Sequence, residues 1–288
     1  MDVLVGLDIG GTKLLVAAAD RSGAILRRAQ RPTPLALDAG LAALHELIAE
    51  VCGDDQIVAI GAAAGGPLDY ERGVVSPLHQ PKWRDVPLKQ LFERAYGCPF
   101  AVDVDANVAA LGEYRWGGEP VDRLLYLTLS TGMGGGLVVD GQIYRGARGE
   151  HPEVGHQAIP FRCAHPERVR CECGLDDCLE ALISGNAIRR IYERPAEQLA
   201  PDEWAEVAYN LGQGLRNMAT FYAPDVIALG GGVAVGGGAV LVDAAARHMA
   251  DHLRLVQPPN VRLSTLGYDT ALYGTIALAL DAERTAAL

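Results

Sequence analysis

Three times in this chain an apolar run of strand length ends directly in a cluster of glycines. Val3–Ile9 leads into Gly10-Gly11, Leu124–Leu129 into Ser130-Thr131-Gly132-Met133-Gly134-Gly135-Gly136, and Asp225–Leu229 into Gly230-Gly231-Gly232. Such runs read as buried strands. Glycines just past a strand let backbone N–H groups approach an anion closely. The first cluster is followed by a second strand, Leu14–Ala19, so Gly10-Gly11-Thr12-Lys13 is a tight hairpin turn. A Walker loop or a Rossmann fingerprint would open a helix there, and both are excluded.

Helical patterns fill the spaces between strands. Leu41, Leu44, Leu47, Ile48 and Val51 share one face and end at Gly53. Further helices are predicted over Pro87–Tyr96, Val108–Trp116, through Leu182 and Ile188, over Asp202–Tyr222, near Val240–Leu253, and from Ala271 to Ala282. Strands are predicted at Ile57–Ala62, Phe100–Val104 and Val261–Leu266, with an Asp140-Gly141 hairpin turn. Strands alternating with helices imply an α/β architecture. The related glycine turns near 10 and near 132 hint at a duplicated αβ core, its halves facing one cleft.

Composition narrows the function classes. The formal net charge is −11, and no Lys/Arg-rich run offsets it, which argues against a nucleic-acid partner. No apolar run reaches membrane-spanning length, and Met1-Asp2 leads into a strand without a charged leader. Six cysteines are too few for a disulfide scaffold in 288 residues, and three of them cluster at metal-ligand spacing, which suits a reducing cytoplasm.

That cluster is Cys171-Glu172-Cys173-Gly174-Leu175-Asp176-Asp177-Cys178, preceded by Glu153-Val154-Gly155-His156. His156, Cys171, Cys173 and Cys178 form a His-plus-Cys₃ set suited to tetrahedral Zn²⁺. Cys163 and His165 also lie within reach in sequence, so the fourth ligand stays open. Glu153 and Glu180 flank the segment and would place two acceptors in a pocket wall, as a polyhydroxylated ligand requires. Cys52 and Cys98 have apolar neighbours and read as core residues.

Two glycine loops in separate halves suggest a nucleotide held between two lobes, with Thr12 and Lys13 adding donors and Asp8 holding Mg²⁺ through water. Gly230-Gly231-Gly232 would let an adenine lie against bare backbone. Asp105 falls at a strand–helix junction. There it either caps the helix or takes a proton from a substrate hydroxyl attacking a γ-phosphoryl group.

These residues together resemble the ROK family of sugar kinases and regulators. The resemblance rests on Asp8-x-Gly10-Gly11-Thr12-Lys13, Asp105-Ala106-Asn107, Thr131-Gly132-x-Gly134-Gly135-Gly136, Glu153-x-Gly155-His156, the cysteine cluster with Glu180, and Gly230-Gly231-Gly232, in family order. It implies the actin-like, hexokinase-type (ribonuclease H-like) two-lobed ATPase fold with a central cleft. The expected lobes are 1–108 plus 270–288 and 109–269, the latter carrying the zinc segment 156–178. It further implies ATP-dependent phosphorylation of a hexose, most often at C6, in a homodimer or homotetramer. By position, Asp105 would be the general base. Gly66, Asp105, Glu153, His156 and Glu180 would meet the sugar. Asp8, Gly10, Gly11, Thr12, Lys13, Thr131, Gly132 and Gly134 would serve ATP phosphates and Mg²⁺, and Gly231 and Gly232 the adenosine. With no helix-turn-helix before the first strand, the likeness is to the kinase branch rather than the repressors.

The departures concern the sugar. Val104 stands where glucokinase-like members carry an Asn that bonds it, and His151-Pro152-Glu153 is fructokinase-like, whereas Cys171-x-Cys173 follows the glucokinase pattern. Asp177 replaces a usual Gly, and Phe161–Arg170 is longer than in many members. Pro81-Lys82-Trp83 lies where the family has a sugar-side loop, with His79 beside it. Alternatives are a kinase for an N-acetylhexosamine and a sugar-sensing protein without catalysis. Donors other than ATP, including polyphosphate, also stay open.

Overall fold

The computed structural model describes residues 1–118 and 120–287. In chain order the elements begin with strands β1 (Asp2–Ile9), β2 (Lys13–Ala19) and β3 (Ile25–Pro32), then helix α1 (Leu37–Cys52) and strand β4 (Gln56–Ala64). Three two-residue strands follow, β5 (Leu68–Asp69), β6 (Val74–Val75) and β7 (Val86–Pro87). Next come α2 (Leu88–Tyr96), β8 (Phe100–Val104), α3 (Asp105–Trp116), β9 (Arg123–Leu129), β10 (Met133–Val139) and β11 (Gln142–Ile143). The chain closes with α4 (Glu180–Ile183), α5 (Gly185–Tyr192), α6 (Pro201–Tyr222), β12 (Val226–Gly230), α7 (Gly232–His252), β13 (Asn260–Leu263) and α8 (Thr270–Ala286).

The chain divides into two compact units, Met1–Gly117 with Ala147–Glu150 and Asp269–Leu288, and Gly118–Gly146 with His151–Tyr268. The first contains a five-stranded sheet of order β3-β2-β1-β4-β8, the second a five-stranded sheet of order β11-β10-β9-β12-β13. In each, three consecutive strands form an antiparallel meander, and two later strands add in parallel beside the first of them. The connectivity is the same twice, as the paired glycine turns suggested.

In the first unit, α8 lies against β1 and β4 at backbone contact distance. A Cβ on Gly61 would stand 2.0 Å from the Thr275 carbonyl oxygen, and one on Gly274 would stand 1.8 Å from that of Val108 in α3. Glycine is therefore required for the close approach at both places. On the sheet's other face, Val3, Val5, Leu7, Leu44, Leu47, Ile48, Trp83 and Phe92 form a buried core. Trp83 is wholly buried there, so its ring anchors the Pro81-Lys82-Trp83 loop to this core.

Strand β3 has no apolar alternation and was not predicted. Its arginines lie along the sheet edge and pair with acids, Arg27 with Asp55, Arg28 with Asp269, and Arg31 with Glu46 and Glu50. In the second unit, Leu125, Leu127, Leu129, Ile227 and Leu229 meet Leu211, Leu215 and Met218 of α6 and Leu241, Val242 and Ala245 of α7. Helix α7 begins at Gly232, earlier than its glycine-rich start predicts, and carries a kink at Gly238 (φ 58°). Among the described residues no helix is long and apolar enough to cross a membrane.

Gly274→Val should drive a side chain into the Val108 carbonyl and lower Tm by roughly 4–12 °C in a thermal melt. Gly236→Ala, where a Cβ meets nothing within 4 Å, should leave Tm unchanged or raise it slightly.

Candidate active site

In the first unit, β1 carries Asp8 just before its last residue, Ile9, and turns through Gly10, Gly11 and Thr12 into β2, which begins at Lys13. The Gly10 N–H donates to the Lys13 carbonyl (3.0 Å), closing the hairpin. The Gly10 carbonyl accepts from the Thr33 hydroxyl (2.7 Å) and from the Gln80 amide (3.3 Å). These bonds fix the turn from its inner side, while Gly11, Thr12 and Lys13 are exposed. His79 packs its Cβ 3.4 Å from where a Gly11 Cβ would stand, so it lies beside this turn.

Asp105 occupies the first position of α3, behind an N-cap of Val104. It is exposed, and its Oδ1 accepts the N–H of Ala106 (2.8 Å). The N-cap position belongs to Val104, whose side chain makes no cap bond, so Asp105 meets the first turn of the helix from its first position rather than from the cap. The helix begins at Asp105 rather than at the predicted Val108. Asn107 is fully buried, and its amide donates to Asp103 Oδ1 (2.9 Å), which also accepts the Val104 N–H (2.7 Å). Asn107 and Asp103 thus hold the strand–helix junction that presents Asp105. The Val104 side chain lies 3.6 Å from a Cβ position on Gly66.

Asp8 keeps a small opening to solvent but is closely surrounded. Burial first, and the Asp105 charge second, push its carboxyl up to about 6, against the opposing pull of Lys13. Two carboxylates within electrostatic reach of each other beside an exposed anion turn are a donor set that a divalent cation would neutralise.

In the second unit, the four predicted metal-binding side chains converge. The ligand atoms of His156, Cys171, Cys173 and Cys178 all lie within 4.8 Å of one another. Cys173 Sγ is 3.3 Å from Cys178 Sγ, and Cys171 Sγ is 3.4 Å from His156 Nδ1. Ligands around a tetrahedral zinc with bonds of about 2.3 Å stand at comparable separations, so the donor set fits Zn²⁺. Cys163 instead packs against the apolar core, and His165 faces Glu167 (3.7 Å). The Leu175 N–H, and after it Cys178 and Cys171, draw the Cys173 thiol down to about 7, whereas burial raises Cys171 and Cys178. Arg190 holds the segment from behind, donating to the carbonyls of Arg168, Arg170 and Ala181.

Glu153 and Glu180 behave differently. Glu153 is exposed, with His151 Nε2 at 3.5 Å and His156 Nε2 at 3.9 Å. Thus His156 points one nitrogen at Cys171 and the other at Glu153. Glu180 Oε2 accepts the Met133 N–H (2.8 Å), and its Oε1 lies 3.9 Å from Cys171 Sγ. Glu180 therefore joins the cysteine segment to the Ser130–Gly132 turn.

That turn is shorter than the glycine run suggested. Gly134, Gly135 and Gly136 pair with Thr128, Leu127 and Tyr126 inside the β9–β10 ladder, leaving Ser130, Thr131 and Gly132 as the loop. Their carbonyls receive α5, Gly185 N–H bonding Ser130 (2.7 Å) and Asn186 N–H bonding Thr131 (3.1 Å). This is why the predicted continuous helix breaks at Ser184, which caps α5 by accepting from Ala187 (3.2 Å). Gly231, with φ 87°, is the N-cap of α7, and Gly232 begins it. Ser130, Thr131, Gly232 and Val233 line a cavity of about 240 Å³ together with Gly185, Asn186, Arg189, Pro195, Ala196 and Glu197. No motif pointed to the last six, because residues of one amphipathic helix and one short turn carry no spacing signal.

The profile of the ROK family matches residues 4–282. The chain belongs to the ROK family. It is 36% identical over 215 residues to a glucokinase of Streptomyces coelicolor, a stretch covering 74% of this chain and 66% of that protein. Among solved structures, a ROK hexokinase from Thermus thermophilus superposes with a TM-score of 0.84 at 33% identity, covering 96% of this chain and 97% of that one. A ROK glucokinase from Streptomyces griseus, solved with glucose and AMPPNP, gives a TM-score of 0.76 at 28% identity over 97% and 99% of the two chains. This ROK protein accordingly has the actin-like, hexokinase-type fold.

Asp8 yields a stability test. Its carboxyl titrates higher in the folded chain than its ordinary value of 3.8, so the folded state favours the proton. The resulting penalty is absent below about pH 4, grows as the pH rises, and is complete above about pH 6. Asp8→Asn should therefore raise Tm at pH 7.5, by roughly 2–8 °C, with the gain disappearing near pH 4.

Proposed function

We infer that this ROK protein is an ATP-dependent hexose kinase, phosphorylating the 6-hydroxyl of glucose, mannose or fructose with Asp105 as general base. The observation that carries this reading is the placement of Asp105. An exposed carboxylate opens α3 within electrostatic reach of Asp8, which borders the Gly10–Lys13 anion turn. Hydroxyl activation and one of the two phosphate-binding turns are thereby provided by one unit. The names of the similar proteins, glucokinase and hexokinase, and the glucose and AMPPNP bound in one of them, support the same reading.

In the reaction, Asp105 takes the proton of the sugar hydroxyl as its oxygen bonds to the γ-phosphorus, and the bond from that phosphorus to the β-phosphate oxygen breaks to release ADP. Mg²⁺, held through Asp8, would neutralise charge on the phosphate oxygens. Thr12, Lys13 and the exposed glycine N–H groups bind phosphate in the first unit, and Thr131 and Gly132 in the second. Glu153 and Glu180 accept from sugar hydroxyls, and His156, whose zinc-free ring nitrogen carries the proton, donates to one. A zinc held by His156, Cys171, Cys173 and Cys178 would fix the ring of His156 and the backbone ahead of Glu180. We take the working protein to be a cytoplasmic homodimer or homotetramer.

A second reading, a kinase for an N-acetylhexosamine, is favoured by Val104. Its apolar side chain beside Gly66 offers van der Waals contact where an amide partner would otherwise stand. A panel of glucose, mannose, fructose, allose and N-acetylhexosamines, scored by kcat/KM in an ADP-release assay, separates the two. Asp105→Asn should lower kcat about 10²–10⁴-fold with little change in sugar KM. Near-normal turnover from a correctly folded variant would remove Asp105 from the mechanism.

Elemental analysis of protein purified without chelator should find about one zinc per chain. Cys178→Ser, at the most buried ligand, should lose the metal and lower Tm. Less than half an equivalent in the unsubstituted protein would count against the metal.

A further inference from the structure

The cavity beside Thr131 and Gly232 has two distinguishable ends. At one, Gly185 and Asn186 donate to the carbonyls of Ser130 and Thr131. Helix α5 then carries the wall away at about 1.5 Å per residue, setting Arg189 roughly 6 Å beyond Gly185. The helix ends at Tyr192, Glu193 adopts a left-handed conformation (φ 58°), and the chain turns through Pro195, Ala196 and Glu197, which complete the lining. The cavity has a volume of about 240 Å³ and opens to solvent.

Three polar side chains stand on this wall, Asn186, Arg189 and Glu197, and among the described residues none of them makes a hydrogen bond or ion pair with the protein. The contrast with the next residue is direct, since Arg190 spends its guanidinium on three backbone carbonyls. An arginine and a glutamate share one small cavity without pairing with each other. All three are exposed, so their hydrogen-bonding groups meet solvent and are open to a ligand.

We propose that Glu197 and Arg189 recognise the nucleoside of the phosphoryl donor, Glu197 accepting from the exocyclic amine of a purine and Arg189 lying along the ribose and α-phosphate. This rests on the kinase reading, with the phosphates at Thr131 and Gly132. The order of the lining residues then puts the base at the Glu197 end. An ionised carboxylate only accepts hydrogen bonds. The amine of adenine or guanine satisfies it. The carbonyl of hypoxanthine, which has no amine, sets lone pair against lone pair.

The test measures kcat/KM for ATP, GTP and ITP at saturating sugar, together with the thermal shift given by ADP and IDP. The unsubstituted protein should prefer an amine-bearing purine over ITP by about 10–100-fold, the range for a hydrogen bond to a charged group. The ATP-to-GTP ratio identifies which amine is read. Glu197→Gln and Glu197→Ala should each bring that preference to within about threefold, with sugar KM unchanged, and should equalise the ADP and IDP shifts. Arg189→Met should weaken ATP and ITP in equal proportion. An unaltered ratio in both Glu197 variants would overturn the assignment while leaving the kinase reading intact. Failure of every donor to phosphorylate any hexose, with no shift from ADP, would overturn both.

Discussion

One carboxylate connects the parts of the second unit on which its chemistry depends. Glu180 gives one oxygen to the Met133 N–H and turns the other toward Cys171. The first bond fixes the exit of the Ser130–Gly132 turn, and the second borders the cysteine segment. Arg190 secures that segment to the start of α4 and α5, whose first N–H groups return to the same turn. The loop is therefore held from three sides by bonds that any movement of residues 168–186 would disturb. A metal in the His156–Cys178 set would act well beyond its own ligands, because the backbone it stiffens carries Glu180.

Hydrophobic periodicity and turn chemistry made most of the architecture legible. Long apolar runs ending in glycine located β1, β9 and β12, and the repetition of one such turn anticipated two sheets of equal connectivity. The His156–Cys178 donor cluster was legible because zinc demands particular side chains at short spacing, and the geometry brings the same four side chains together. Elements lacking an apolar face were not legible. Strand β3 satisfies its edge with arginine ion pairs, so nothing in its pattern alternates. The start of α7 is glycine-rich and intrinsically a poor helix, yet β12 delivers the chain there with Gly231 in a conformation that begins one.

Site residues show the same division. Asp105 was visible at a strand–helix junction with two equal explanations, cap and base, and the helix starting at Asp105 itself gives the cap position to Val104. The supporting pair Asp103 and Asn107 could not be separated from the motif by reading it, since a buried hydrogen bond four residues apart has no signature distinct from helix periodicity. Arg189 and Glu197 were invisible for the opposite reason. An exposed charged side chain is the commonest thing on a surface, and only the shape of the cavity distinguishes these two. The burial of Trp83 was likewise not legible, because the flanking Pro81 and Lys82 give no apolar period.

The arginines of β3 bear on behaviour at high protein concentration. An outer strand of eight residues offers a row of unpaired backbone groups to a neighbouring molecule, and such rows template strand exchange and fibrous aggregation. Here Arg27, Arg28 and Arg31 carry bulky, hydrated charge along that row, each tied to an acid of the same unit. A second chain could dock only by displacing these side chains and their water. In the other sheet the outer strands are two and four residues long, too short to recruit a partner. Strand exchange is thus opposed by charge along β3 and by brevity at β11 and β13.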